Sequence, residues 1–178
     1  LLSAKHSYLD ESSKLLYSYI DEDVLLFSFT DLYGTVSFNT SNGSKFNHFG
    51  FSFNDEVQFQ ETSNLNWNSF GGGADFILVP SSTAALLEGG INFSNYEITL
   101  EERASSGNPS SDVAGEEVLL QPRTSAVNSF NLFLDFKYFF GDDALKYGID
   151  ISGFGTELSF FNPLGQRIEQ NDNNTELA

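Results

Sequence analysis

The sequence predicts an all-β chain, an antiparallel meander of long amphipathic strands. Three observations carry that reading: apolar residues at every second position through most of the chain, turn signals between such runs, and no stretch with a helical period.

The first hairpin begins at Leu32, where Leu32, Val36 and Phe38 share one face. "NTSNGSK" follows, with Asn42-Gly43 at its centre, a pair suited to the left-handed backbone of a tight turn. Phe49, Phe51, Phe53, Val57 and Phe59 then alternate with mostly polar neighbours. In the second hairpin, Phe70, Ala74, Phe76 and Leu78 oppose Ser69 and Asp75; after "PSSTAA", Leu87, Ile91 and Phe93 alternate with Glu88, Asn92 and Ser94.

The third hairpin has the cleanest pattern. Phe130, Leu132, Leu134, Phe136, Tyr138 and Phe140 lie on one face and Ser129, Asn131, Asp135 and Lys137 on the other, with Phe133 as the exception. Gly141, Asp142, Asp143 and Ala144 make the turn, and Leu145, Tyr147, Ile149 and Ile151 then alternate with Lys146, Asp150 and Ser152. The count expected from these runs is six to seven strands.

In two places the phase of the alternation slips. Tyr96, Ile98 and Leu100 sit on even positions after odd-numbered predecessors, and Phe154, Leu158 and Phe160 do the same after Gly153. A bulge at Gly153 or Gly155 would exchange the faces. A strand leaving its apolar surroundings at that level would read identically.

The connections alternate in length. Those at 41–44, 80–85 and 141–144 are short, whereas 101–127 and 162–176 read as long polar loops; "ETSNLN" at 61–66 is short on the long-loop side. Leu145 to Phe161 runs for 17 residues without a proline, enough for about 55 Å of extended chain. Strands of soluble domains are usually about five or six residues long. Long alternating strands, short turns at one end and long loops at the other predict part of a transmembrane β-barrel, with Leu134 and Ile149 facing lipid, Asp135 and Asp150 facing inward, and Tyr138, Phe140 and Tyr147 in an aromatic girdle.

Composition narrows the function. With 25 acidic and 8 basic residues the formal net charge is −17, which opposes nucleic-acid binding because phosphate neutralisation needs clustered Lys and Arg. There is no cysteine, hence no disulfide, thiolate site or cysteine nucleophile. No apolar run of 18 residues that would make a transmembrane helix occurs. The chain does not begin with Met and opens on no signal-peptide pattern, so it reads as an internal piece of a longer protein.

Chemical motifs give no site. His6 and His48 are isolated, and Asp21 to Asp23 and Asn171 to Glu176 gather oxygen ligands without the spacing of a calcium loop. Gly71 to Gly73 lacks the Gly-Lys-Ser/Thr of a phosphate loop and reads as small residues within a strand. The triplets at Asn39 and Asn92 are those expected by chance in an Asn- and Ser-rich chain, and no Gly-x-Ser-x-Gly elbow occurs. The expectation is a non-enzyme with no catalytic, cofactor or metal residues; no ligand-binding residue can be named.

"FNLFLDFKYFFGDDALKYGIDISGF" (130–154), with its Leu145-Lys146-Tyr147-Gly148 element, the following "RIEQNDNNTELA" and the upstream "WNSFGGGADFILVPSS", resembles hairpins of TonB-dependent outer-membrane receptors of the Bacteroidota type. The resemblance implies a barrel of roughly 22 strands with an N-terminal plug, in the bacterial outer membrane, taking up a scarce ligand such as a glycan or siderophore. It implies membrane lipid on the outward face, the rest of the barrel and plug as neighbours, and coupling to an inner-membrane energy complex through an N-terminal region. Residues 1–178 would then be a fragment of that barrel, with another strand expected after "NTELA". The alternative is a secreted β-sandwich, a carbohydrate-binding or adhesive module, with its apolar faces packed on each other. An open curved sheet favours the first reading, and two sheets over a dry core the second.

Overall fold

The computed structural model describes residues 1–8, 26–59, 63–105, 117–119, 122–162 and 164–178. Its elements are β1 (Leu2–His6), β2 (Leu26–Asn39), β3 (Lys45–Phe59), β4 (Ser63–Leu78), β5 (Ala85–Ser105), β6 (Glu117–Leu119), β7 (Arg123–Phe140), β8 (Asp143–Phe161) and β9 (Arg167–Leu177). They form one antiparallel sheet in the order β1-β2-β3-β4-β5-β7-β8-β9, with the three-residue β6 pairing the far end of β5. Among the described residues the meander has eight strands, against the six or seven expected. Among the described residues β1 and β9 are the two edges and the sheet is open.

Several predicted boundaries move, and β4 already begins at Ser63, inside the connection expected at 61–66. The stretch expected as a polar loop at 162–176 is a short turn followed by β9, which pairs β8 from Ile151↔Leu177 to Phe161↔Arg167. "NTELA" therefore lies in and just beyond a strand. Likewise β5 continues to Ser105 and β7 starts at Arg123, so strand invades the expected loop at 101–127, of which 106–116 and 120–121 lie outside the described residues. Both misreadings have one cause: where neither face is consistently apolar, alternation leaves no trace in composition.

The phase slip is resolved by the register. Every β5–β7 pair from Ala85↔Tyr138 to Leu100↔Arg123, and every β7–β8 pair from Thr124↔Ser159 to Phe140↔Asp143, is in step without an extra residue. No bulge sits at Gly153 or Gly155; the side chains on each face change polarity instead.

Turn chemistry sets the short ends. Gly43 (φ 87°) and Gly141 (φ 63°) take the left-handed conformation that the turns after β2 and β7 require. The first two turns are also tied together: Asn42 Nδ2 donates to the Val79 carbonyl (3.0 Å) and the Val79 amide donates to Ser44 Oγ (2.9 Å). At the opposite end, Asn162 Oδ1 accepts from the amides of Leu164 and Gln166, both at 2.9 Å, closing the β8–β9 turn.

Within the strands, glycines stand directly opposite phenylalanines. The pairs are Phe51↔Gly71, Phe49↔Gly73, Phe76↔Gly89, Phe133↔Gly90 and Phe130↔Gly153. A Cβ on Gly89 would lie 2.6 Å from the Phe76 ring, and one on Gly90 2.7 Å from Phe133. The rings lie over the bare backbone and supply the packing that the glycines lack. Gly71 to Gly73 is thus strand, as the sequence indicates.

The sheet is a single layer, and Val57, Ala85 and Ala126 are the only buried hydrophobic residues among those described. Exposure differs between its faces. In the middle of the sheet Ile91, Phe93, Phe130, Leu132 and Leu134 are exposed, whereas their neighbours Asn92, Ser94, Ser129, Asn131 and Phe133 are half-buried; towards the ends of the strands that second face also exposes residues, among them Tyr96, Val127, Phe139, Phe154 and Leu158. Side chains on the inside of a curled sheet shade one another, so the face of Asn131 and Asp135 is the concave one.

Gly90→Val should destabilise the folded chain by about 1–3 kcal/mol through overpacking against Phe133. Gly50→Ala, whose new Cβ would meet nothing nearer than 3.8 Å, should change stability by less than about 0.5 kcal/mol. Denaturant unfolding in detergent or lipid measures both.

Candidate functional surfaces

Because register partners share a face, the pairing assigns every strand residue to one of two surfaces. Leu134 and Ile149 are partners on the convex face, and Asp135 and Asp150 lie on the concave face.

On the convex face the end nearest the short turns is apolar. It carries Phe70, Ala74, Phe76 and Leu78 on β4; Leu87, Ile91 and Phe93 on β5; Phe130 to Phe140 at even positions on β7; and Leu145, Tyr147, Ile149 and Ile151 on β8. Aromatic pairs gather at its lower border, Phe136 with Tyr147 at 5.1 Å and Tyr138 with Phe140 at 6.3 Å between ring centroids. His48 and Ser52 on β3 are its polar interruptions. The apolar stretch covers residues 70–78 of β4, 85–93 of β5 and 130–140 of β7, about 9–11 residues in each, which is the length a tilted strand needs to cross a hydrocarbon layer.

Above this band the convex face turns polar at nearly one level. Phe70 is succeeded by Asn68, Phe93 by Asn95, Phe130 by Asn128 and Leu32 by Thr30. Side chains there bond across strands: Asn95 Nδ2 donates to Asn128 Oδ1 (2.7 Å), Asn64 Nδ2 to Glu56 Oε1 (3.0 Å), and Asn54 bonds Asn68, while the amide oxygens of Asn64 and Asn66 are buried without a partner.

The concave face has the opposite order. Near the short turns it mixes the rings of Phe49, Phe51 and Phe133 with cross-linked polar side chains: Asn47 Nδ2 donates to Asp75 Oδ2 (2.6 Å), Asn131 Nδ2 to Asp150 Oδ1 (2.8 Å), and Lys146 pairs with Asp135 (3.1 Å). Ser94 and Ser129 bond at 2.7 Å midway. Beyond them come Phe53, Val57, Leu65, Trp67, Tyr96, Ile98, Leu100 and Leu158, with Asp31 and Asp55 among them. From β4 to β8 the two faces exchange polarity at about the same height, and this exchange is the phase slip seen in the sequence; on β3, Phe49, Phe51 and Phe53 keep to the concave face at both heights.

Residues considered from the sequence are scattered. His6 and His48 both fall on the convex face; His6 Nδ1 bonds Thr30 Oγ1 at 2.8 Å, and its ring meets that of Tyr8 edge-on at 4.8 Å. Asp21 to Asp23 lies outside the described residues, and Asn171 to Glu176 sits in β9, its side chains alternating between faces. Among the described residues no cluster of His, Asp and Glu is placed to hold a metal. Asn39 ends β2 and Asn92 lies within β5. The aromatic upper concave surface is what the sequence reading did not isolate, although the even-numbered Tyr96, Ile98 and Leu100 mark it.

No protein-family model matches the chain, and no curated protein matches it. Among solved structures it is similar to the hemophore receptor HasR of Serratia marcescens, determined as a double mutant in complex with its hemophore HasA and heme. The identity is 8% and the TM-score 0.31, over 85% of this chain and 32% of that one. The chain spans about a third of that receptor's length, and a likeness of this size does not establish a shared fold.

Asn131→Leu strips the Asp150 carboxylate of a donor in a half-buried network. It should cost about 1 kcal/mol in unfolding free energy, whereas Asn95→Ser, on the solvated ladder above the band, should cost less.

Proposed function

We propose that this chain forms part of the wall of a bacterial outer-membrane β-barrel receptor of the TonB-dependent type, its convex face against lipid and its concave face lining the barrel. The carrying observation is the apolar band, one bilayer tall, bordered by aromatic rings at the short turns and by an Asn-rich ladder above. In water such a band would be a contiguous apolar surface far larger than the few hundred Å² that monomers tolerate. The sandwich alternative requires a second sheet over that band, and the described strands lie along one path.

On this reading the open edges β1 and β9 pair with further strands of the barrel, because unpaired backbone groups in lipid cost several kcal/mol each. The polar lower concave face meets a plug, and the long strands continue above the membrane towards the ligand. The ligand is a scarce solute of the glycan or siderophore kind, taken up with energy delivered from the inner membrane.

Cysteine scanning in outer membranes tests the orientation. Cysteines at 134 and 149 should react with lipid-soluble reagents and be shielded from aqueous ones, while those at 135 and 150 react from the water side; equal aqueous labelling at 134 and 135 would contradict the proposal. Leu134→Arg should impair assembly by about 2–4 kcal/mol and Asn68→Arg, above the band, by about 0–1 kcal/mol. For topology, tags near Gly107 and Gly165 should be accessible on intact cells, and a tag near Asp142 should not.

A further inference from the structure

We propose that a cleft over Gly155, at the upper border of the apolar band, seats the sugar head of a neutral glycolipid from the surrounding leaflet. The inference rests on the barrel reading in taking the convex face for the outer wall.

Gly153 and Gly155 are successive residues of β8 on the convex face, so between β7 and β9 that face has bare backbone. The ring of Phe130 lies over the first glycine, and the side-chain oxygen of Asn173 over the second. Between them is a cleft of about 240 Å³, walled by Asn128 and Phe130 from β7 and by Asn173 and Thr175 from β9, with Phe154 and Gly155 at its floor. Sites for drug-sized ligands run from roughly 300 to 1,000 Å³, so this one suits a single ring. The register sets its height. Phe130 is the uppermost apolar residue of the band on β7, and Asn128 is the next residue above it on this face.

The walls offer complementary contacts. Phe130 has one side against the Gly153 backbone and is still 45% exposed, so its outer side is an open apolar platform. Asn128 Oδ1 accepts from Asn95, which leaves its own N–H groups unclaimed among the described residues, and the Asn173 amide makes no hydrogen bond among them. Glu157, next above Gly155 on this face, is exposed and has no base as partner among the described residues. A pyranose ring matches the whole set. Its C–H face packs on the phenyl ring, and its hydroxyls accept from the two amides and donate to Asn173 Oδ1 and the Glu157 carboxylate.

Other heads match less of it. A phosphate needs charge-assisted donors, and the one base on this face of β7, β8 and β9 is Arg167, which pairs with Phe161 at the far end of β8 and is engaged by Glu169. Glu157 would repel the anion as well. A free sugar would bear the whole cost of association, whereas a head tethered to acyl chains over the exposed Leu132 and Leu134 is held beside the cleft at high effective concentration.

The test uses the assembled protein, taken from outer membranes and reconstituted in phosphatidylcholine vesicles. Three photoreactive diazirine lipids are compared by peptide mass spectrometry of the cross-linked residues: glucosyl diacylglycerol and phosphatidylglycerol carrying the group on the head, and a phosphatidylcholine carrying it in mid-chain. The glucosyl head should label 128–130 and 173–175, the phosphatidylglycerol head about fivefold less, and labelling by the sugar head should fall about fivefold in Asn128→Ala/Asn173→Ala, the worth of one hydrogen bond. Methyl glucoside at equal concentration should leave it unchanged. A variant is compared only where the chain probe still labels Leu132 and Leu134, which shows that it has assembled; Phe130→Leu, which keeps the band apolar, should weaken sugar-head labelling independently. Equal labelling by the two heads, labelling unchanged in both variants, or displacement by methyl glucoside would overturn the proposal. Chain-probe labelling of Leu132 without sugar-head labelling in the cleft would overturn it and leave the barrel reading standing, whereas loss of both would overturn the barrel reading too.

Discussion

An unbroken antiparallel register governs everything else in this chain. From β2 to β8 the long strands pair without an inserted residue, so the parity of a residue fixes its face for the full height of the sheet. A bulge would have kept one face apolar throughout. Without one, each face from β4 to β8 is part apolar and part polar, in opposite order, while β3 keeps Phe49, Phe51 and Phe53 on the concave face throughout. On the proposed barrel reading, the polarity pattern then marks the height at which the wall leaves the bilayer.

Packing follows from the same constraint. A single-layer sheet has no core to bury large side chains, and this one compensates by laying phenylalanine rings over glycines on the neighbouring strand. The exchange works on both faces: Phe130 covers Gly153 on the convex side and Phe133 covers Gly90 on the concave side. It accounts for an unusual pairing in the composition, 19 Phe beside 15 Gly, in strands where isolated glycine would otherwise weaken pairing.

The fold was legible in the sequence wherever one face is apolar and the other polar. The hairpin from Phe130 to Ile151 was readable residue by residue because its faces differ sharply in the band. β9 was invisible because "RIEQNDNNTEL" is polar on both faces, and strand pairing across a polar edge leaves no periodic mark. The upper strands were half legible: Tyr96, Ile98 and Leu100 betrayed a change of face, but one strand alone could not distinguish a bulge from a change of environment. Only cross-strand partners settle that, and they also bring Asp55 and Trp67 into one row from residues twelve apart in sequence.

The central claim is that the convex band is immersed in hydrocarbon, and depth-resolved fluorescence addresses it most directly. With Trp67 changed to Phe, a single tryptophan would be placed in turn at positions 128, 132 and 133 in bilayers whose acyl chains carry bromine at different depths. The account predicts strong quenching at 132 by mid-chain bromine, weak quenching at 128 confined to bromine near the headgroups, and almost none at 133. Equal quenching at 132 and 133, or none at 132, would contradict it.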